Sequence, residues 1–119
     1  MHVVNVHGEA SEPNAAPIFD GTVHTRALVS GTQGAQHIHL LAVTFSPGAR
    51  TKLHYHSNEQ ILLITEGRGI VATVEEEHHV TPGDVVFVPG GEHHWHGAEA
   101  DFSMTHLAVN GVGETHIVG

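Results

Sequence analysis

From residue 18 onward, the apolar positions of this chain fall in short runs. Over no long window do they recur at the i, i+3, i+4, i+7 spacing of a helix face. The runs lie near residues 22–29, 37–45, 50–56, 60–65, 69–75, 78–81, 85–88, 92–96 and 102–109, and they are rich in β-branched and aromatic residues. Turn-forming stretches divide them: SGTQG (30–34), SPG (46–48), EGRG (66–69), TPGD (81–84) and PGGE (89–92). Many short strands with regular turns predict an all-β sandwich or barrel without a substantial helix. In one run, Gln60/Leu62/Ile64 alternates with Ile61/Leu63/Thr65, a pattern that suits a strand buried on both sides with one polar group at its start. Another alternation, Phe102/Met104/His106/Ala108, turns a histidine toward the core. Residues 1–17, with Gly8, Pro13 and Pro17, read as an irregular leader, and residues 18–119 as the barrel. The Gly-rich segment after Asn110, GVGETHIVG, gives no clear assignment.

Composition narrows the function classes. A chain of 119 residues is one domain, large enough for a core but not for two. Its formal net charge of −9, with only 4 Lys+Arg, argues against nucleic acid and against anionic membrane surfaces. The 14 histidines make that charge sensitive to acid: fully protonated, they would bring it to −9 + 14 = +5. Absence of cysteine excludes disulfides, thiolate metal sites and cysteine nucleophiles, so any metal must be held by nitrogen and oxygen. The stretch MHVVNVHGEASEPN has no basic n-region or long apolar segment, and runs such as Ile61–Ile64 and Val85–Val88 are far too short to span a membrane. A soluble cytoplasmic protein is the default expectation.

Two clusters carry candidate chemistry. The first, HYHSNEQILLITEGRG, places His54 and His56 two apart, which on a strand puts both on one face with Cα atoms about 6.6 Å apart. Such a pair either converges on one ion or decorates a polar strand face. Gln60 follows, and a buried amide there needs a partner, which an ion held by the histidines would supply. The second cluster, PGDVVFVPGGEHHWHGA, sets His94 and His96 on one face and His93 on the other with Trp95.

Taken together, the clusters resemble the two motifs of the cupin superfamily. Gly48, His54, His56 and Gly67 match the first motif: Gly, five residues, His-x-His, a short gap, an acidic ligand, six residues, Gly. Gly83, Pro89, Gly91 and His94 match the second: Gly, five residues, Pro-x-Gly, two residues, His. With the surrounding strands, the likeness spans about residues 37–109. It implies a single-domain cupin barrel (a double-stranded β-helix or jelly roll) with a divalent ion on His54, His56, His94 and the residue seven before Gly67. That residue is Gln60, where many cupins have Glu; the adjacent Glu59 would point to the opposite strand face. The asparagine expected late in the second motif is replaced by Ala98.

An amide in place of a carboxylate leaves the ion its full +2 charge, which suits Lewis-acid work on an oxygen-bearing substrate at some cost in affinity. Three imidazoles and an oxygen favour Mn, Fe, Ni or Zn over Ca or Mg. SPGARTKLHYH, ITEGRG and MTHLAV, with the second cluster, resemble small bacterial cupins related to manganese-dependent hydroxynitrile lyases. Relatives of these are associated with carboxymuconolactone decarboxylase. That resemblance implies manganese as the expected ion and His96 and His106 as acid/base groups beside it, although His106 also reads as an ordinary core histidine. Further implications are a homodimer and a metal-dependent lyase that cleaves C–C bonds of hydroxylated or carbonyl small molecules. The alternatives are an iron-dependent dioxygenase and a non-catalytic cupin whose ion anchors a ligand. Leu41, Val43, Leu53, Phe87 and Asn110 are the expected pocket walls. His78 and His79 read as a solvated hairpin tip, His37 and His39 form a His-x-His without framing glycines, and His2, His7 and His116 lie in terminal segments.

Overall fold

A computed structural model describes all 119 residues. The chain forms thirteen strands and one turn of 3-10 helix, Gly31–Gln33. The strands are β1 (Glu12–Pro13), β2 (Phe19–Asp20), β3 (Val23–Val29), β4 (Ile38–Phe45), β5 (Arg50–Thr51), β6 (His54–His56), β7 (Gln60–Gly67), β8 (Gly69–Ala72), β9 (Glu77–Val80), β10 (Val85–Val88), β11 (Trp95–Ala98), β12 (Met104–Gly111) and β13 (Thr115–Ile117). A six-stranded sheet runs β1-β3-β4-β12-β7-β10, a five-stranded sheet runs β2-β5-β11-β8-β9, and β13 pairs with β6 in a ribbon. Every pairing is antiparallel, yet only β3–β4 and β8–β9 join strands consecutive in the chain; the other neighbours come from separate segments.

Inward side chains of the two sheets meet in one core. Phe45, Leu62, Ile64 and Met104 are almost wholly buried there, with Val23, Val43, Val71 and Val80 around them. Phe45 sits at the boundary between core and site: its ring is edge-on to Phe19 at 6.2 Å and to His96 at 5.8 Å, and 5.5 Å from His106. His96 and His106 therefore rest on aromatic packing.

The expected strands are present, with instructive departures. The run at 50–56 breaks at Lys52 and Leu53, and its halves join different sheets. Lys52 turns its N–H to the Ile18 carbonyl (2.7 Å), which carries the chain from one sheet to the ribbon. Within the leader, Glu12 and Pro13 pair with β3, and the segment after Asn110 supplies β13. β7 is not buried on both sides: Gln60, Leu62 and Ile64 point inward, while Ile61 and Leu63 remain 40% and 37% exposed. No helix or second sheet covers that outer face, where Val85 and Phe87 of the edge strand β10 are exposed as well.

Gly67 ends β7 at φ +77°, and a Cβ there would lie 1.8 Å from the Ser103 carbonyl oxygen. Gly67→Ala combines left-handed strain with a backbone clash, together worth on the order of 3–5 kcal/mol. Thermal unfolding of that variant should show Tm lowered by more than about 10 °C. A near-parental Tm would show that the β7–β8 corner relaxes freely.

Candidate functional site

His54 lies directly across from His94, and the two exchange backbone hydrogen bonds, His54 N–H to His94 O and His94 N–H to His54 O, each 2.9 Å. Opposed residues of an antiparallel pair project to the same side. This reciprocal pair joins the two sequence clusters, and the imidazole centroids stand 4.3 Å apart. His56 follows on the same face of β6, its ring 4.9 Å from His54 and 5.4 Å from His94. One ligand atom from each of His54, His56 and His94 lies within 4.8 Å of the others, the spacing of a group that can hold a metal ion.

Protonation states follow from the partners. His54 Nδ1 lies 2.7 Å from the Lys52 carbonyl and His94 Nδ1 2.9 Å from the Glu92 carbonyl. A carbonyl only accepts, so both rings carry their proton on Nδ1. Burial, reinforced by the neighbouring imidazoles, pushes His54 down to about 4, and burial with His94 nearby does the same for His56. Burial lowers His94 too. The three rings are thus neutral near pH 7, and His54 and His94 leave Nε2 as a bare lone pair.

Gln60 completes the cage. Its Nε2 donates to Asn110 Oδ1 at 2.8 Å, which turns Oε1 toward His94 Nε2 at 3.2 Å. Both of these atoms are then acceptors, with no proton between them. His56 Nε2 is likewise buried without a partner. A cation among these lone pairs would satisfy them all, and the donor set of three neutral imidazoles and an amide oxygen suits a divalent transition metal. Glu59, by contrast, is exposed on the outer side of the chain.

Beside the cage, His96 and His106 form a buried pair, with His106 Nε2 3.0 Å from His96 Nδ1. His96 Nε2 and His106 Nδ1 have no partner. His96 stacks on His94 at 5.6 Å and 15°, and its N–H is anchored on Thr51 Oγ1. Burial holds His106 down to about 4; burial first, then His106, holds His96 well below the ordinary histidine range.

These shifts make a prediction for the metal-free protein. The ordinary value is 6.5, and the folded values of His54, His56 and His106 are about 4. Between those limits the unfolded chain binds more protons than the folded one, so stability rises with pH. Tm should be flat above about pH 7 and fall steadily from pH 6.5 toward pH 4. A level Tm across that window would mean the rings are not held neutral.

A cavity of about 420 Å³ opens onto the cage and contains no Lys, Arg, Asp or Glu in its lining. Thr51, His96, His106 and Gln60 supply its polar floor, and Leu41, Val43 and Asn110 line it as expected. Leu53 and Phe87 do not; Phe87 faces outward, opposite Ile61. Part of its lining is a strap the sequence had concealed: Asn14, Ala16, Pro17, Ile18 and Phe19. Asn14 fastens it to β3 through Val23 O and Thr25 Oγ1, and Lys52 clasps it by its N–H on Ile18 O and its Nζ on Pro17 O. Neither His37 nor His39 reaches this cavity. His93 is exposed and stacks on Tyr55, while His78 and His79 are exposed beside Glu76 and Glu99.

Comparison with known proteins agrees with this geometry. The cupin domain family matches residues 41–110. An (R)-mandelonitrile lyase from Granulicella tundricola is 42% identical over 113 residues, covering 92% of this chain and 83% of that protein. A cupin-like protein from Thermotoga maritima superposes with a TM-score of 0.88 at 30% identity, over 97% of this chain and 90% of its own. A polyketide cyclase from Streptomyces resistomycificus gives the same TM-score at 23% identity, over 100% of this chain and 86% of its own, a likeness of fold.

Proposed function

From a chain that belongs to the cupin family, we propose a metal-dependent lyase that cleaves a C–C bond in a small hydroxylated or carbonyl substrate, as in cyanohydrin cleavage. The observation that carries this reading is the buried His96–His106 pair set against a cage of unsatisfied lone pairs, at the floor of an uncharged cavity. The 42% identity to a mandelonitrile lyase points the same way.

His54, His56 and His94 would hold the ion, with Gln60 Oε1 as fourth ligand and manganese the proposed metal. A divalent ion there supplies Lewis-acid stabilisation of charge on the substrate oxygen. The other tasks fall to the chain. When His96 Nδ1–H donates to His106 Nε2, His96 Nε2 is a bare lone pair; in the other tautomer it bears the proton. His96 can therefore take the hydroxyl proton of a cyanohydrin. As the C–C bond breaks, its electron pair leaves with cyanide, the carbonyl forms, and the proton returns to give hydrogen cyanide. Strap and barrel wall hold the organic body and exclude water.

The apolar outer face of Ile61, Leu63, Val85 and Phe87, beside the unpaired edge of β10, supports a homodimer as the proposed assembly.

The test is a screen of manganese- and iron-loaded protein with mandelonitrile and with β-diketones, under an oxygen electrode. Nitrile cleavage without oxygen uptake supports the lyase. Oxygen uptake with the iron form would replace it with a dioxygenase, and a fully loaded protein silent on both would replace it with a ligand-binding role.

A further inference from the structure

Two of the three imidazoles in the cage take their orientation from the main chain, and the third does not. The carbonyls of Lys52 and Glu92, each two residues before its histidine, fix His54 and His94. His56 Nδ1 instead meets the hydroxyl of Thr115 at 2.8 Å. We infer that Thr115, on the segment after Asn110 that lies outside both cupin motifs, is the positioning residue for His56. This rests on the metal-site reading above.

Several contacts hold Thr115 in place. Thr115 is directly opposite His56 in the β13–β6 ribbon. One residue away, Ser57 N–H donates to Glu114 O (2.9 Å) and Glu114 N–H donates to Ser57 Oγ (2.8 Å). On the other side, Gly91 N–H donates to His56 O at 2.8 Å. The strand pairing is therefore set without the Thr115 side chain, leaving the hydroxyl free to orient the ring.

The hydroxyl has a chemical consequence that a carbonyl lacks. Oγ1 can accept from Nδ1–H, leaving Nε2 bare toward the cage, or donate to Nδ1, leaving the proton on Nε2. His56 Nε2 is buried with no partner in the protein, so the accepting arrangement is the one that suits a ligand. Of the three histidines, His56 is the one whose tautomer hangs on a side chain, and hence on a replaceable group.

Thr115→Val keeps the β-branched shape and removes the hydroxyl; Thr115→Ser keeps the hydroxyl. Manganese titrated into the metal-free protein should bind Thr115→Val about 10- to 100-fold more weakly than the parent, the usual cost of losing an outer-shell partner. Thr115→Ser should stay within about threefold of the parent on the same basis. In metal-free protein, long-range ¹H–¹⁵N spectra should show His56 mainly as the Nδ1–H form in the parent and in Thr115→Ser. The Nε2–H form should grow in Thr115→Val. Thr115→Ala provides a second deletion should the valine variant fold poorly. Equal manganese affinity in parent and Thr115→Val would overturn the inference, as would a serine variant as weak as the valine. If the parent itself binds no manganese, the metal reading fails. The tautomer comparison then decides the positioning role alone, and an unchanged His56 tautomer in Thr115→Val overturns it.

Discussion

Replacing His94 by alanine should abolish tight binding of a divalent ion, with His54→Ala and His56→Ala close behind. Each imidazole supplies one inward lone pair, and each is held neutral by burial. Even outer-shell partners are worth about 10- to 100-fold in affinity, so loss of a direct ligand should cost at least about 10-fold. His94 and His54 are alike in support: their backbones bond each other, and each Nδ1 is fixed by a main-chain carbonyl, of Glu92 and of Lys52. Full manganese occupancy in His94→Ala would end the assignment. The same titration ranks the oxygen ligand. Gln60→Glu should retain or tighten the ion, since a carboxylate cancels one of its charges, while lowering any lyase rate through weaker Lewis acidity. Glu59→Gln should change little, because Glu59 is exposed. Stripping of the ion by Glu59→Gln, with Gln60→Ala unaffected, would transfer the role to Glu59.

The second large effect concerns turnover rather than binding. His96→Ala and His106→Ala should leave ion content near parental yet lower the rate of mandelonitrile cleavage by about 10²-fold or more, the usual worth of a positioned acid or base. In the proposed chemistry His106 acts through His96, because the 3.0 Å contact sets which nitrogen of His96 holds the proton. The double variant should then be little worse than either single one. Additive losses would mean that the two act separately. Rates within a few-fold of parental in both single variants would remove the pair from the chemistry altogether.

Much of the cage was legible because it is written in short range. His54 and His56 share a face by strand parity, and the resemblance of Gly83, Pro89 and Gly91 to the second cupin motif brings in His94. Gln60 opens a strand with a buried face, and Glu59, just before it, is exposed as alternation predicts. Where apolar residues occupy both faces, parity says nothing. Val85–Val88 reads VVFV, so the sequence offers Phe87 as a pocket wall although the side chain faces out. Contacts closed by distant chain segments were equally silent. The amide of Gln60 is oriented by Asn110, 50 residues later, and His56 by Thr115, 59 residues later. The strap at 14–19 has no periodicity at all. Only folding of β1 onto β3 reveals it as a wall.

That strap separates two jobs within one small chain. The cage draws its side chains from β6, β7 and the turn before β11, while another stretch of the cavity wall comes from Asn14 to Phe19, pinned by β3 and Lys52. Lys52 touches both: its N–H and Nζ clasp the strap, and its carbonyl orients His54 through the backbone, which a side-chain change leaves in place. Under the proposed function, exchange of Ala16, Pro17 and Ile18 would alter substrate range while leaving the cage residues in place, whereas Phe19 packs on Phe45, which packs on His96 and His106. A library randomised at Ala16, Pro17 and Ile18 would be a direct route to new substrates, in the way a lens is changed while the camera body stays the same.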